Sequence, residues 1–358
     1  MERMTQTKGA RLGWLDLVRV LAILMVILVH SAESAADFTV EGLPLLSASG
    51  RALEGAAFSV GRLGVPLFLL SSGWLLLDRD YSDADIRSFY RRRWVPLLVI
   101  TQAWNVIYFL LLVFCFHRKF TGLEVFQMFF FLRPHPMSHM WYMPMILGWY
   151  LLIPFMARGL RQVELSTLRL PMLVLCLYGF AMPTIGALIK TYSDQYFYSY
   201  LPPGITDGGF YGIYLVLGYM VRKKAFRSLP GWLLAVTVPL GTAASCWIML
   251  NSFAHGVDQK IRYYLLPLML ASVCLFELLS RMEQWKAPKA VSWLARYSFP
   301  LYLTHNPFRM LLQGSIQGIG RVSLRLAVTF AASAALGLLA AWLISLIPRV
   351  GKKLLYMK

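Results

Sequence analysis

The sequence predicts an all-α, polytopic integral membrane protein of about ten transmembrane helices, with the N and C termini both cytoplasmic. Three observations carry this. Hydrophobic residues make up 58% of the chain and charged residues only 15%, with a mean hydropathy of +0.58, well outside the balance of soluble domains. The 358 residues leave room for about ten spans of about 20 residues with short loops between them. Finally, the net charge of +18 is unevenly placed. With the first span leaving the cytoplasm, one side of the membrane receives the N-terminus, 78–93, 158–169, 222–230, 281–297 and 348–358, which hold 23 Lys and Arg. The other receives 34–59, 117–139, 191–209, 253–262 and 313–323, which hold 7. Cytoplasmic loops carry such an excess, so the charge points to membrane lipid and not to nucleic acid. The chain divides into a tail over 1–13, a single membrane domain over 14–347 and a basic cytoplasmic tail over 348–358.

The first span, Trp14 to Glu33, is long and apolar enough to cross a bilayer, yet it carries Asp16, Arg19, His30 and Glu33. Arg19 and His30 are eleven residues apart, close to three turns, which stacks them about 16 Å from each other on one helix face. Asp16 and Glu33 fall on the same side. Ionisable groups at membrane depth face a protein interior or a wet cavity and mark function. Asp16 and Arg19 also satisfy the spacing of a structural i,i+3 pair. The basic prefix is short and lacks a small-residue cleavage pattern, so the helix reads as retained.

An outer loop over 34–59 leads to the second span, 60–77. Arg62 opens it, Pro66 is expected to kink it, and Ser71, Ser72 and Gly73 suit close helix packing. Arg62 needs an anionic or polar partner at that depth, and Glu33 and His30 are the candidates. Ser82 and Asp85 form a capping box for a short helix that delivers Arg91, Arg92 and Arg93 to the cytoplasmic face. These arginines can anchor the topology on anionic lipid or clamp phosphates bidentately.

After the third span, 94–116, the run from Thr121 to Leu132 reads as an interfacial amphipathic helix. His135 and His139 stand at i,i+4, but Pro136 intervenes and no third ligand is near, so no metal is expected. Trp141 and Tyr142 open the fourth span, 140–157. The fifth, 170–190, leads to an aromatic outer loop at 191–209, suited to an interfacial belt or to a sugar platform. Spans six to eight, 210–221, 231–252 and 263–280, read as scaffold. The ninth carries Tyr302, His305 and Asn306 at membrane depth, and the tenth, 324–347, has a small-residue run from Ala331 to Gly337. Cys115, Cys176, Cys246 and Cys274 all lie in apolar runs and form no disulfide or zinc framework.

Several of these pieces resemble the acyltransferase-3 family of bacterial membrane O-acyltransferases. They are the Leu-Asp before Arg19, ten residues and then His30; the Pro66-Leu-Phe and the Ser72-Gly73-Trp step; His139 with Trp141; and Tyr302 with His305. The family's Arg-x-x-Arg before a proline is replaced here by Arg91-Arg92-Arg93-Trp-Val-Pro96. Within the family the chain resembles short forms of the enterobacterial common antigen O-acetyltransferase type. The resemblance implies a multi-pass protein of the bacterial inner membrane and an acyl-CoA donor, most simply acetyl-CoA, with no permanently bound cofactor. It also implies a surface glycan or lipid-linked oligosaccharide as acceptor. The alcohol must lose a proton as it attacks a thioester, so His30 is the expected general base, oriented by Glu33; a covalent acyl-enzyme on the histidine is the alternative route. Arg19 serves donor positioning, and Arg91, Arg92 and Arg93 the coenzyme A phosphates. Arg62, His139, Trp141, Tyr302 and His305 are candidates for the oxyanion or acceptor site, while Asp16, Ser72 and Gly73 are structural. A secondary transporter of a small polar or acyl-bearing solute would also use a polar stripe, but no internal repeat supports it.

Overall fold

A computed structural model describes residues 11–193 and 208–357. All regular structure among them is helical. The aromatic loop expected at 191–209 lies almost wholly outside the described residues.

The core is organised around α1, Gly13–Ala35, whose Val18, Ala22, Ile27 and Ala32 are fully buried. Around it stand α2 (Ala48–Gly61), α3 (Gly64–Leu76), α12 (Leu266–Ser280), α13 (Lys289–Arg296), α14 (Ser298–Ile316) and α15 (Val322–Ser345). The outer helices are α4 (Asp83–Phe89), α5 (Val95–Phe114), α6 (Gly122–Phe129), α7 (Tyr142–Arg161), α8 (Leu165–Cys176) and α9 (Met182–Tyr192); α10 (Phe210–Arg222) and α11 (Gly231–Ala254) complete the bundle, and α16 (Gly351–Leu354) is a single turn near the C-terminus.

Seven helical stretches are long and apolar enough to cross a membrane. The three other expected spans coincide with α10 and α12, which are shorter, and with α14, whose 19 residues include Thr304, His305, Asn306 and Arg309. The seven stretches make the chain a multi-pass membrane protein.

Several boundaries differ from expectation. Residues 48–59, expected within an outer loop, are helical, because Ser47 caps α2 by accepting from the Gly50 N–H at 3.1 Å. The break then falls at Arg62–Leu63 and not at Pro66, which sits in the first turn of α3. A first-turn proline needs no amide hydrogen, so it starts a helix there without bending it. Ser82 and Asp85 do form the capping box. The helix it opens runs through a π-helical turn, Tyr90–Trp94, directly into α5. Thr121 and Glu124 cap α6 in the same way.

Close packing follows the small residues. A Cβ on Gly73 would collide with the Leu215 carbonyl of α10, and one on Gly337 would lie 2.9 Å from His305 Cα. Thr304 Oγ1 donates to the Gly337 carbonyl at 2.7 Å across the same α14–α15 contact. The segment after α15 packs back on the bundle. Leu355 is fully buried, and the Leu354 carbonyl accepts from Trp104 Nε1 at 2.9 Å.

Candidate functional site

One cavity of about 630 Å³ runs along the polar face of α1. At one end it is lined by Arg11, Arg19, Arg93 and Arg296, and at the other by His30, His139, Trp141 and Tyr302. The three-turn spacing of Arg19 and His30 is therefore the length of a channel wall.

At the arginine end, Asp16 is fully buried and takes Arg11 Nε and Ser292 Oγ on Oδ2, the latter at 3.1 Å. Arg19 Nη1 reaches Asp16 Oδ1 at 3.4 Å. One carboxylate thus holds two guanidinium groups beside the cavity while both stay more than a third exposed. Arg93 completes the ring, and Tyr356 Oη donates to its carbonyl at 3.2 Å. Arg91 and Arg92 point elsewhere: both are exposed and neither lines the cavity. Ser72 lines it, whereas Gly73 packs against α10.

At the other end, His30 Nδ1 lies 2.9 Å from Glu33 Oε2, one turn on. A carboxylate accepts, so the proton sits on Nδ1 and the Nε2 lone pair is free for chemistry. Glu33 is itself held by Arg62 Nη2 at 3.7 Å. Arg62 stacks over the rings of Phe58 and Tyr263, at 4.6 and 5.0 Å. Arg309 ties α14 to α1 by donating to Ser34 Oγ and Asn306 Oδ1, each at 2.6 Å.

Three imidazoles converge here. Ring centroids of His30, His139 and His305 are 5.7, 6.4 and 5.2 Å apart in the pairs 30–305, 30–139 and 139–305. Their tautomers follow from their partners. His305 Nδ1 faces the Leu301 and Tyr302 carbonyls at 3.0 and 2.9 Å, so it donates and leaves Nε2 as a bare acceptor. Tyr108 donates its hydroxyl hydrogen to the Leu303 carbonyl, so His139 Nε2–H donates to the Tyr108 oxygen at 3.1 Å and Nδ1 is left bare. Tyr302 Oη donates to the His139 carbonyl at 2.7 Å and fixes the turn that carries it. His305 Nε2 and His139 Nδ1 are both buried with no hydrogen-bond partner among the described residues.

Sequence reasoning missed Tyr108, Arg309, Arg11 and Arg296. Arg309 carried a signal, standing four residues after His305 on one helix. Tyr108 carried none, because its partners lie 31 and 195 residues away in the chain.

The His30–Glu33 pair lies at one end of the cavity and the arginines at the other. The family described as "Acyltransferase domain" matches residues 12–346, nearly the whole chain, and the chain belongs to this acyltransferase-3 family. It is also similar to the "Putative acetyltransferase ORF330" of Acidianus two-tailed virus, at 25% identity over 287 residues, covering 76% of this chain and 79% of that protein. No solved structure matches the chain. The protein is a multi-pass membrane acyltransferase.

Proposed function

We infer that the protein moves an acyl group, most simply acetyl, from cytoplasmic acyl-CoA to a hydroxyl of a glycan or glycolipid on the far side of the bacterial inner membrane. The observation that carries this reading is the single cavity joining four arginines to His30. Guanidinium forks match phosphate oxygens, so the coenzyme A phosphates sit at Arg11, Arg19, Arg93 and Arg296. The pantetheine arm runs up the channel and brings the thioester to His30. The excess of Lys and Arg on the loops of the arginine end supports a cytoplasmic position for that end.

The step balances without any further reactant. The acceptor oxygen attacks the thioester carbonyl carbon, and His30 Nε2 takes its proton. The tetrahedral intermediate collapses, the C–S bond breaks, and the imidazolium returns the proton to the leaving thiolate. Products are an O-acyl ester and free coenzyme A. Glu33 keeps the Nδ1–H tautomer and stabilises the imidazolium as it forms. Arg62 and Arg309 hold Glu33 and the surrounding helices in place. The family's membership in acyl transfer weighs against a transporter built on the same stripe.

The test is purified protein in nanodiscs with isotope-labelled acetyl-CoA. Label released as acetate or moved to an added glycan fraction, dependent on His30, supports the reading. No turnover of acetyl-CoA, propionyl-CoA or succinyl-CoA by a protein that binds and folds normally would refute it. Mass spectrometry of envelope glycans from cells with and without the protein identifies the acceptor.

A further inference from the structure

The segment that follows α15 has no part in the chemistry at His30, yet it reaches the mouth of the channel. Tyr356 and Met357 line the same cavity as Arg11, Arg19, Arg93 and Arg296. Several contacts bring them there. A Cβ on Gly351 would collide with the Ile344 carbonyl of α15, so the chain reversal needs a glycine at that close approach. Trp104 Nε1 of α5 donates to the Leu354 carbonyl at 2.9 Å, and Leu355 is fully buried. The Met357 N–H closes the turn on the Lys352 carbonyl at 2.8 Å. Tyr356 sits at a φ of 55°, a left-handed conformation that residues other than glycine keep only where surrounding contacts hold it. Its ring meets that of Phe299, another wall residue, edge to face at 5.7 Å.

Arg93 depends on the turn that carries it. Tyr90–Trp94 is π-helical, and Pro96, just beyond it, has no amide hydrogen to give back to the turn. Side chains tie it down instead. Tyr90 Oη donates to the Leu151 carbonyl at 2.7 Å and Trp94 Nε1 to the Leu147 carbonyl at 2.9 Å, both on α7. The third tether is Tyr356 Oη, which donates to the carbonyl of Arg93 itself at 3.2 Å. One residue on a helix is about 100° of rotation, so the choice of Arg93 over its exposed neighbours Arg91 and Arg92 is a matter of how this turn is rotated. Arg19 is fixed separately, by Asp16 on its own helix at 3.4 Å.

We propose that the segment 351–357 belongs to the donor site, with Tyr356 as a positioning residue. Its hydroxyl, bonded to the Arg93 carbonyl, holds the π-turn so that the Arg93 guanidinium stays at the channel mouth and meets the phosphates of the acyl-CoA. The proposal rests on the reading of Arg93 as a ligand of those phosphates. Tyr356 acts through Arg93, so it sets donor affinity and leaves the chemistry at His30, at the other end of the cavity, unchanged.

The full chain in nanodiscs is compared as wild type, Tyr356→Phe, Arg93→Gln, Arg19→Gln and the two double variants that combine Tyr356→Phe with each arginine change. Coenzyme A affinity is read by calorimetry, and the KM and kcat for acetyl-CoA by acetate release. Tyr356→Phe keeps the ring and loses only the hydroxyl. It is expected to weaken coenzyme A binding by about 3- to 10-fold, the value of one neutral hydrogen bond, and to raise KM by a similar factor with kcat within about twofold of wild type. Added to Arg93→Gln, it should change affinity by less than about twofold; added to Arg19→Gln, it should show its full factor, because only residues acting through one another depart from additivity. Unchanged affinity in folded Tyr356→Phe overturns the proposal, as do equal factors in the two arginine backgrounds. Arg93→Gln binding coenzyme A as wild type does would overturn the phosphate reading of Arg93 together with the proposal. An impaired Arg93→Gln beside an unimpaired Tyr356→Phe would overturn the positioning role alone.

Discussion

Helices α1 and α15 are nearly the same object by composition and opposite objects by position. They have 23 and 24 residues and mean hydropathies of 2.1 and 2.0 over an apolar stretch of 18 residues in each, yet 67% of that stretch is buried in the first and only 22% in the second. α15 buries one narrow stripe, Leu326, Thr329, Ser333, Gly337 and Ala341, and turns its other residues outward. α1 is surrounded. The difference lies in what interrupts the apolar run: Asp16, Arg19, His30 and Glu33 in α1, against Arg325 alone in α15. Hydropathy reports that a helix can enter the bilayer; ionisable residues report which helix the others must enclose, because lipid cannot solvate them.

The sharpest way to break this comparison is at His30. His30→Ala should lower acyl transfer by about 10²- to 10⁴-fold, the usual cost of a lost general base, with the protein still monodisperse on gel filtration and still binding coenzyme A. Transfer near the wild-type rate would end the assignment. At Glu33 the effect should be smaller: Glu33→Gln keeps the shape but loses the negative charge that orients the ring, and a drop of about 10- to 100-fold in kcat is expected by analogy with other carboxylate-oriented histidines. A kcat equal to that of wild type would show that the 2.9 Å contact has no role in turnover.

The arginines sharpen the contrast within one stretch of chain. Arg93→Glu should raise the acyl-CoA KM by about 10-fold or more, since charge-assisted hydrogen bonds contribute about 1.5–3 kcal/mol. Arg91→Glu and Arg92→Glu should change KM much less, because both side chains are exposed away from the cavity. Equal KM effects at all three positions would mean that the phosphates lie outside the channel mouth. The smallest expected effect concerns packing alone. Ala22→Leu, at a fully buried position of α1, should cost about 1–3 kcal/mol by overpacking, visible as a lower melting temperature in detergent. Leu339→Ala on α15, where the side chain is 48% exposed, should stay within about 0.5 kcal/mol.

Much of this protein could be read before any coordinates. Composition decided the class, because 58% hydrophobic residues cannot be hidden inside a soluble domain of this size. Eleven residues between Arg19 and His30 placed both on one face, because helical geometry is local and obligatory. The i,i+3 step predicted the His30–Glu33 contact, and the family pattern brought out His139, Tyr302 and His305. The capping box at Ser82 marked a helix start for the same local reason. What the sequence could not decide were contacts between residues distant in the chain. Nothing in the run of residues says that Arg93 enters the channel while Arg91 and Arg92 leave it; that depends on the π-turn and on how α5 packs. Neither the Tyr108–His139 bond nor the pairing of Arg309 with Ser34 has a local signal. Those choices belong to the tertiary structure, because they are made by whole helices settling against one another, and burial then determines which polar atoms keep partners.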